Sequence, residues 1–169
     1  MKRILLLSLF ILLTLSTAFS QELPNLKHVK LRKKAHFRDI NPLVLKVTEY
    51  LFATPVNHKN ASRKEAGQFL IKWMNDTPFD TFILEEKETN FFNTDTELML
   101  MYMAGLTKFT LEHSSIINQK EKILGAMQLV LPYLDKQENK KSWSKELWQL
   151  VDSYKKNELE GFLNKELYP

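Results

Sequence analysis

Residues 94–112 read TDTELMLMYMAGLTKFTLE, and no other part of the chain constrains its architecture as strongly. Thr94-Asp95-Thr96-Glu97 has the form of a capping box, in which a short hydroxylated or acidic residue and a glutamate three positions on satisfy each other's free backbone N–H groups at a helix start. Behind it, Leu98, Met99, Leu100, Met101, Tyr102, Met103, Ala104, Leu106, Phe109 and Leu111 point in nearly every direction around a turn of 3.6 residues. A helix that is apolar all round is buried all round, so 95–112 is expected to run through the centre of the domain. Gly105 inside it costs about 1 kcal/mol relative to alanine, which predicts that another helix packs closely against the missing side chain. Thioethers repack easily and suit adaptable binding surfaces, but Met99, Met101 and Met103 have equally apolar neighbours and are assigned to the core.

Working outward from this segment, the apolar spacing stays helical. Upstream, Ser62-Arg63-Lys64-Glu65 reads as a second capping box. The stripe Ala66, Phe69, Leu70, Trp73 and Met74 follows the i, i+3, i+4, i+7, i+8 pattern of a core-facing helix, and Asn75-Asp76-Thr77-Pro78 stops it. Asn41-Pro42 opens an earlier helix with proline in its first turn, where the missing N–H is no loss. That helix carries Val44, Leu45, Val47, Tyr50 and Leu51 inward and ends near Thr54-Pro55. Residues 79–84 are aromatic and β-branched and fit either an extended segment or a helical turn, and 85–90 read as a polar loop.

Downstream, Ile123, Leu124, Met127, Val130, Leu131 and Leu134 form another stripe. Pro132 within it removes a hydrogen bond and crowds the preceding turn, predicting a kink or an early end near Val130. Ser142 or Ser144 then caps a helix bearing Leu147, Trp148, Leu150, Val151 and Tyr154, and 157–168 make a last short helix with Leu159, Phe162, Leu163 and Leu167 inward. The expected fold is all-α, an irregular bundle of five or six helices around a buried central helix at about 95–112. No helical-repeat period in the mid-30s is found.

The N-terminus is built differently. Lys2-Arg3, an apolar run over 4–15 and Ala18-Phe19-Ser20 ahead of Gln21 match the three parts of a secretory signal peptide. The alternative, an uncleaved anchor, calls for about 20 apolar residues, and the apolar run proper is shorter. The expected organisation is a signal peptide at 1–20, a basic arm at 21–39 and one helical domain at 40–169, in a periplasmic or secreted protein. No transmembrane helix is expected after cleavage. The chain has no cysteine, so neither a lipidated cysteine nor a disulfide is available. Cleavage leaves 149 of the 169 residues, enough for one core without a covalent staple.

The formal charge of +4 falls to +2 with the loss of Lys2 and Arg3, and it is unevenly spread. Residues 21–38 carry Lys27, Lys30, Arg32, Lys33, Lys34 and Arg38 against Glu22 alone, a local +5, leaving the remainder at −3. Such an arm could meet a protein or an anionic envelope component, or dock on its own domain. Nucleic acid is not expected, because Phe37 is the arm's one interleaved aromatic and the body is acidic.

Motifs for chemistry are missing. There is no G-x-S-x-G elbow, no H-E-x-x-H and no glycine-rich phosphate loop. His28, His36, His58 and His113 show no i, i+3 or i, i+4 pairing of the kind that binds metal on one helix. No metal or other cofactor is therefore expected. The acids Asp76, Asp80, Glu85 and Glu86 cluster between two helices near Trp73. Paired carboxylates can cleave glycosides, although helix-ending loops also collect Asp and Asn as backbone caps. Asn60-Ala61-Ser62 fits a glycosylation sequon and is read as loop plus cap.

With its leader ending just before glutamine, the phrase Phe69-Leu70-Ile71-Lys72-Trp73-Met74, then Thr77-Pro78, and the later Leu100-Met101-Tyr102-Met103-Ala104, the chain resembles a family of small exported all-α proteins of Gram-negative bacteria whose function is not known. The resemblance spans roughly 41–167. It implies an exported helical domain and carries no site residue with it. The expected function is an exported binding or interaction domain without chemistry of its own. One alternative is a small envelope-polymer hydrolase using Asp76, Asp80 or Glu85 as acid and base, and another is a structural or stress-related protein without ligand.

Overall fold

A computed structural model describes residues 22–31, 34–138 and 140–169, so the leader expected over 1–20 lies outside the described residues. Among these, eight α-helices follow one another: α1 Lys34–Asp39, α2 Asn41–Ala53, α3 Ala61–Asp76, α4 Glu86–Thr89, α5 Thr96–Glu112, α6 Gln119–Asp135, α7 Lys145–Lys155 and α8 Leu159–Leu167. No strand occurs among the described residues. The protein is an irregular all-α bundle, and α5 is its central helix. Leu98, Leu100, Met101, Tyr102, Ala104, Gly105 and Leu106 are all buried there. Helices α2, α3 and α6 pack around it, α6 most extensively.

The close approach expected at Gly105 is present. A Cβ at that position would lie 2.5 Å from Cγ2 of Val130 and 3.0 Å from the carbonyl oxygen of Ala126, both in α6. The contact is reciprocal, since a Cβ on Gly125 of α6 would fall within the ring of Phe109. Two glycines therefore let α5 and α6 come together more closely than larger residues allow, offsetting their helix-propensity cost. Met101 is fully buried, while Met99 and Met103 are half-buried against the same core.

Several local expectations change. The second capping box gives way to Asn60, whose side chain accepts the N–H groups of Ser62 and Arg63, so α3 begins at Ala61. At α5, Asp95 is the cap and accepts from Glu97 N–H at 2.8 Å. Glu97 does not complete the box, because its carboxylate is drawn into the interior by Arg63 at 2.8 Å. Helix α6 does not stop near Val130 but continues through Pro132 to Asp135. Pro132 falls in the final turn, where only one intrahelical bond is forfeited, and buried Val130, Leu131 and Leu134 hold that turn in place.

Residues 79–84 are neither helix nor strand; Phe82 leans on Trp73 with ring centroids 5.8 Å apart. The polar segment after them contains the single turn α4, closed by a reciprocal cap between Glu85 and Glu88. Trp148 faces outward at 47% exposure. Between α7 and α8, Asn157 takes φ 60°, and Glu158 N–H returns to the carbonyl of Ser153 at 2.8 Å. This is the left-handed helix ending that asparagine tolerates better than most residues.

The N-terminal segment joins the same core. Leu26 and Phe37 are buried in it, and Leu23 and Leu31 are partly buried against it. Lys34 and Arg38 lie over the ring of Phe79, the Arg38 guanidinium carbon 4.2 Å from its centroid.

Candidate functional site

Arg63 organises the most elaborate polar arrangement among the described residues. Capping by Asn60 sets the first turn of α3 so that this side chain enters the gap between α2 and α5, where it is fully buried. Its Nε and Nη2 both donate to Oε2 of Glu97, at 2.9 and 2.8 Å. Nη1 donates to the carbonyl oxygens of Leu51 and Thr54 at 2.9 and 2.8 Å and to Oγ1 of Thr54 at 2.7 Å. Nη2 also points at the sulfur of Met101, 3.3 Å away. The last carbonyls of a helix have no partner within it, and here the guanidinium supplies one to the end of α2.

Two residues of α6 and its C-terminal extension reach the same stretch of chain. The hydroxyl of Tyr133 donates to the Thr54 carbonyl at 2.7 Å. Burial pushes the Tyr133 phenol up, with the nearby Arg63 charge opposing the shift. Gln137 accepts the N–H of Val56 at 3.2 Å and donates to the Tyr133 carbonyl at 3.1 Å. Residues 51–56 are thus tied directly to Arg63 of α3 and to α6 and its extension, and through Arg63 to Glu97 of α5.

That stretch forms one wall of a cleft of about 570 Å³. The cleft runs between Phe52, Thr54 and Val56, the start of α5 at Asp95 and Leu98, Tyr133 and Gln137, and the connection to α7 at Ser142 and Trp143. Phe52 meets Tyr133 edge to face, with centroids 5.5 Å apart. Across the mouth, His58 Nε2 is 3.2 Å from Oδ2 of Asp95. The Thr94 hydroxyl donates to the Ser142 carbonyl at 2.6 Å. Beside the cleft, the Lys140 ammonium donates to the Asp135 carbonyl and carboxylate at 2.7 and 3.2 Å and covers the ring of Trp143. Hydrogen bonding from Lys140, with help from Lys155, holds the Asp135 carboxyl below its usual range. Apolar and aromatic walls with a few oriented polar groups are the makeup of a small-ligand site. A second depression of about 210 Å³ lies between the start of α6 and α8, with the Lys120 ammonium 3.9 Å above the ring of Tyr168.

The acids singled out from sequence lie elsewhere. Asp76 is paired with Lys72 at 2.7 Å on an exposed face. Glu85 caps α4, Glu86 stands in that helix's first turn, and Asp80 is half-buried in the preceding loop. None of the four lines either cleft. Among the histidines, His36 is 3.2 Å from the Lys30 carbonyl, His113 stacks on Phe109 at 4.3 Å and His28 is exposed. Among the described residues no three His, Asp or Glu side chains are grouped to hold a metal ion, and no helix is long and apolar enough to cross a membrane. Lys27 and Lys30 are exposed, as are Lys34 and Arg38 beside Phe79, whereas Arg32 and Lys33 lie outside the described residues.

Sequence reasoning passed over Arg63, Glu97, Tyr133 and Gln137. A signal existed for the first two. Arg63 precedes Ala66 by three positions and Leu70 by seven, which puts it on the buried stripe of α3, and Glu97 opens a helix that is apolar on every other side. No protein-family model, no curated protein and no solved structure matches the chain.

Proposed function

We propose that the protein is an exported binding domain without chemistry of its own, which recognises its ligand in the cleft between the end of α2 and the connection from α6 to α7. One observation carries this reading. The fully buried guanidinium of Arg63 is committed to fixing residues 51–54, so the wall of the cleft is set before any ligand arrives. A preformed wall lowers the ordering cost that binding otherwise incurs. The polar groups at the cleft are engaged in holding one another, as in His58 with Asp95 and Gln137 with Val56, an arrangement suited to recognition. The same reading gives the exposed Lys27 and Lys30, with their basic neighbours in sequence, the task of meeting an anionic envelope component in the periplasm or outside the cell.

The test is an amide-resonance map recorded against a small panel of aromatic, cationic, anionic and saccharide fragments. At least one class is expected to shift residues 52–58, 95–98 and 133–143 together and saturably. If no class does so, or shifts scatter without saturation, the cleft is not a binding site.

A further inference from the structure

A second buried carboxylate, Glu88 of α4, is solved in a different way from Glu97. It is 2% exposed, and its Oε1 accepts the backbone N–H of Glu85 at 3.0 Å. Among the described residues no Lys, Arg or His side chain forms an ion pair with it. In α5, the fully buried hydroxyl of Tyr102 has no hydrogen-bond partner among the described residues. That phenol is pushed up first by burial and then by the charge of Glu88. Just past the end of α8, the Tyr168 phenol is raised by burial and then by the charges of Glu88 and Glu85. The C-terminal helix is fastened at this point, with Lys87 Nζ donating to the Leu167 carbonyl at 3.2 Å and Phe91 meeting Phe162 at 6.2 Å. From α6, the Lys120 ammonium sits on the far face of this junction, over Tyr168.

An ionised carboxylate buried without a cation is costly even when backbone N–H groups point at it, whereas the neutral acid carries an O–H donor of its own and no charge to bury. We propose that Glu88 is a proton-operated latch on the C-terminal helix: neutral, it lets α8 clamp onto α4 and α6, and ionised, it loosens α8 and opens the smaller cleft walled by Leu163 and Tyr168. Burial, the largest influence, raises its pKa above the ordinary 4.5, and the Glu85 N–H opposes the shift. The folded state therefore binds this proton more tightly than the unfolded chain. Its stabilising contribution is complete below the ordinary value and is lost as pH rises through the folded one. Acid closes the latch.

Hydrogen exchange of α8 amides, each normalised to its intrinsic rate and compared with α2 amides of the same sample, tests this at pH 5 and pH 8 in the wild type and in Glu88→Gln. Glutamine keeps the acceptor for Glu85 N–H and cannot ionise. In the wild type, protection of α8 relative to α2 is expected to be lower at pH 8 than at pH 5, by at most about 10-fold for each unit by which the Glu88 pKa is raised because pH 5 already lies above 4.5, while in Glu88→Gln it holds at both pH values. Equal relative protection at the two pH values in the wild type, or the same fall in the variant, overturns the latch. Should the variant fail to fold, a carbon-13 titration of the wild-type Glu88 carboxyl decides: a midpoint above 4.5 that coincides with loss of α8 protection supports the latch, and one at or below 4.5 overturns it.

Discussion

Glu97, in the first turn of the central helix, and Glu88, in α4, are both buried carboxylates, and the fold treats them in opposite ways. Glu97 receives two N–H groups of a guanidinium that is itself fully buried. Glu88 receives backbone N–H groups and, among the described residues, no cation. Burial alone therefore does not determine what an acid does inside a protein; the partner does. Paired with arginine, a carboxylate becomes a rigid strut between α3 and α5. Left without a cation, it becomes a group whose protonation state the packing can feel.

The largest effect expected from this contrast is at the strut. Arg63→Met leaves Glu97 buried without its cation and frees the end of α2, and it should cost about 3–5 kcal/mol in urea unfolding, with amide shifts concentrated at 51–56. A loss below about 1 kcal/mol would mean that the pair is dispensable. Next is a control that breaks packing and leaves charge alone. Gly105→Ala drives a Cβ against Val130 and the Ala126 carbonyl, and should cost about 1–3 kcal/mol by an amount that does not change between pH 5 and pH 8. A pH-dependent loss there would show that the pH response is not confined to the Glu88 end.

Smaller still is Tyr133→Phe, which removes the hydroxyl donated to Thr54. It should cost about 1 kcal/mol and increase exchange at residues 54–56 without loosening α8. The smallest effect is at Asp135→Asn. Lys140 and Lys155 hold the Asp135 carboxyl low, so its stabilising contribution is present above the ordinary value of 3.8 and fades as pH falls through the lower folded value. Its partial exposure limits the loss to about 0.5 kcal/mol or less at neutral pH. The direction is the opposite of that expected for Glu88, and the wild-type-minus-variant stability differences for Asp135→Asn and Glu88→Gln should change with pH in opposite senses.

The helices were legible wherever side-chain spacing alone dictated them. α5 declared itself by being apolar in every direction, and Gly105 correctly implied a close neighbour. What could not be read were the outcomes of competition between local and distant partners. Glu97 had the spacing of a capping residue, but a buried arginine 34 positions earlier offered a stronger interaction. Pro132 carried the local signal of an early stop, yet the burial of Val130, Leu131 and Leu134 outweighed one lost hydrogen bond. Trp148 followed an apolar spacing and still faces outward, its ring 4.7 Å from that of Trp143. The cleft was the least legible feature. Its walls come from residues 52–58, 95–98 and 133–143, which share no motif and meet only because α2, α5 and α6 pack together. The acidic cluster that drew notice in the sequence does so because acids suit loop and cap positions, as Glu85 shows at the start of α4.

The most direct test of the strut is a double-mutant cycle on Arg63 and Glu97, using methionine at each position and urea unfolding as the readout. Each single variant strands one buried charge and should lose about 3–5 kcal/mol, while the double variant strands none and should lose less than either. Losses that add to within about 0.5 kcal/mol would show that the two side chains act independently, and the wall of the cleft would then owe its position to something other than this pair.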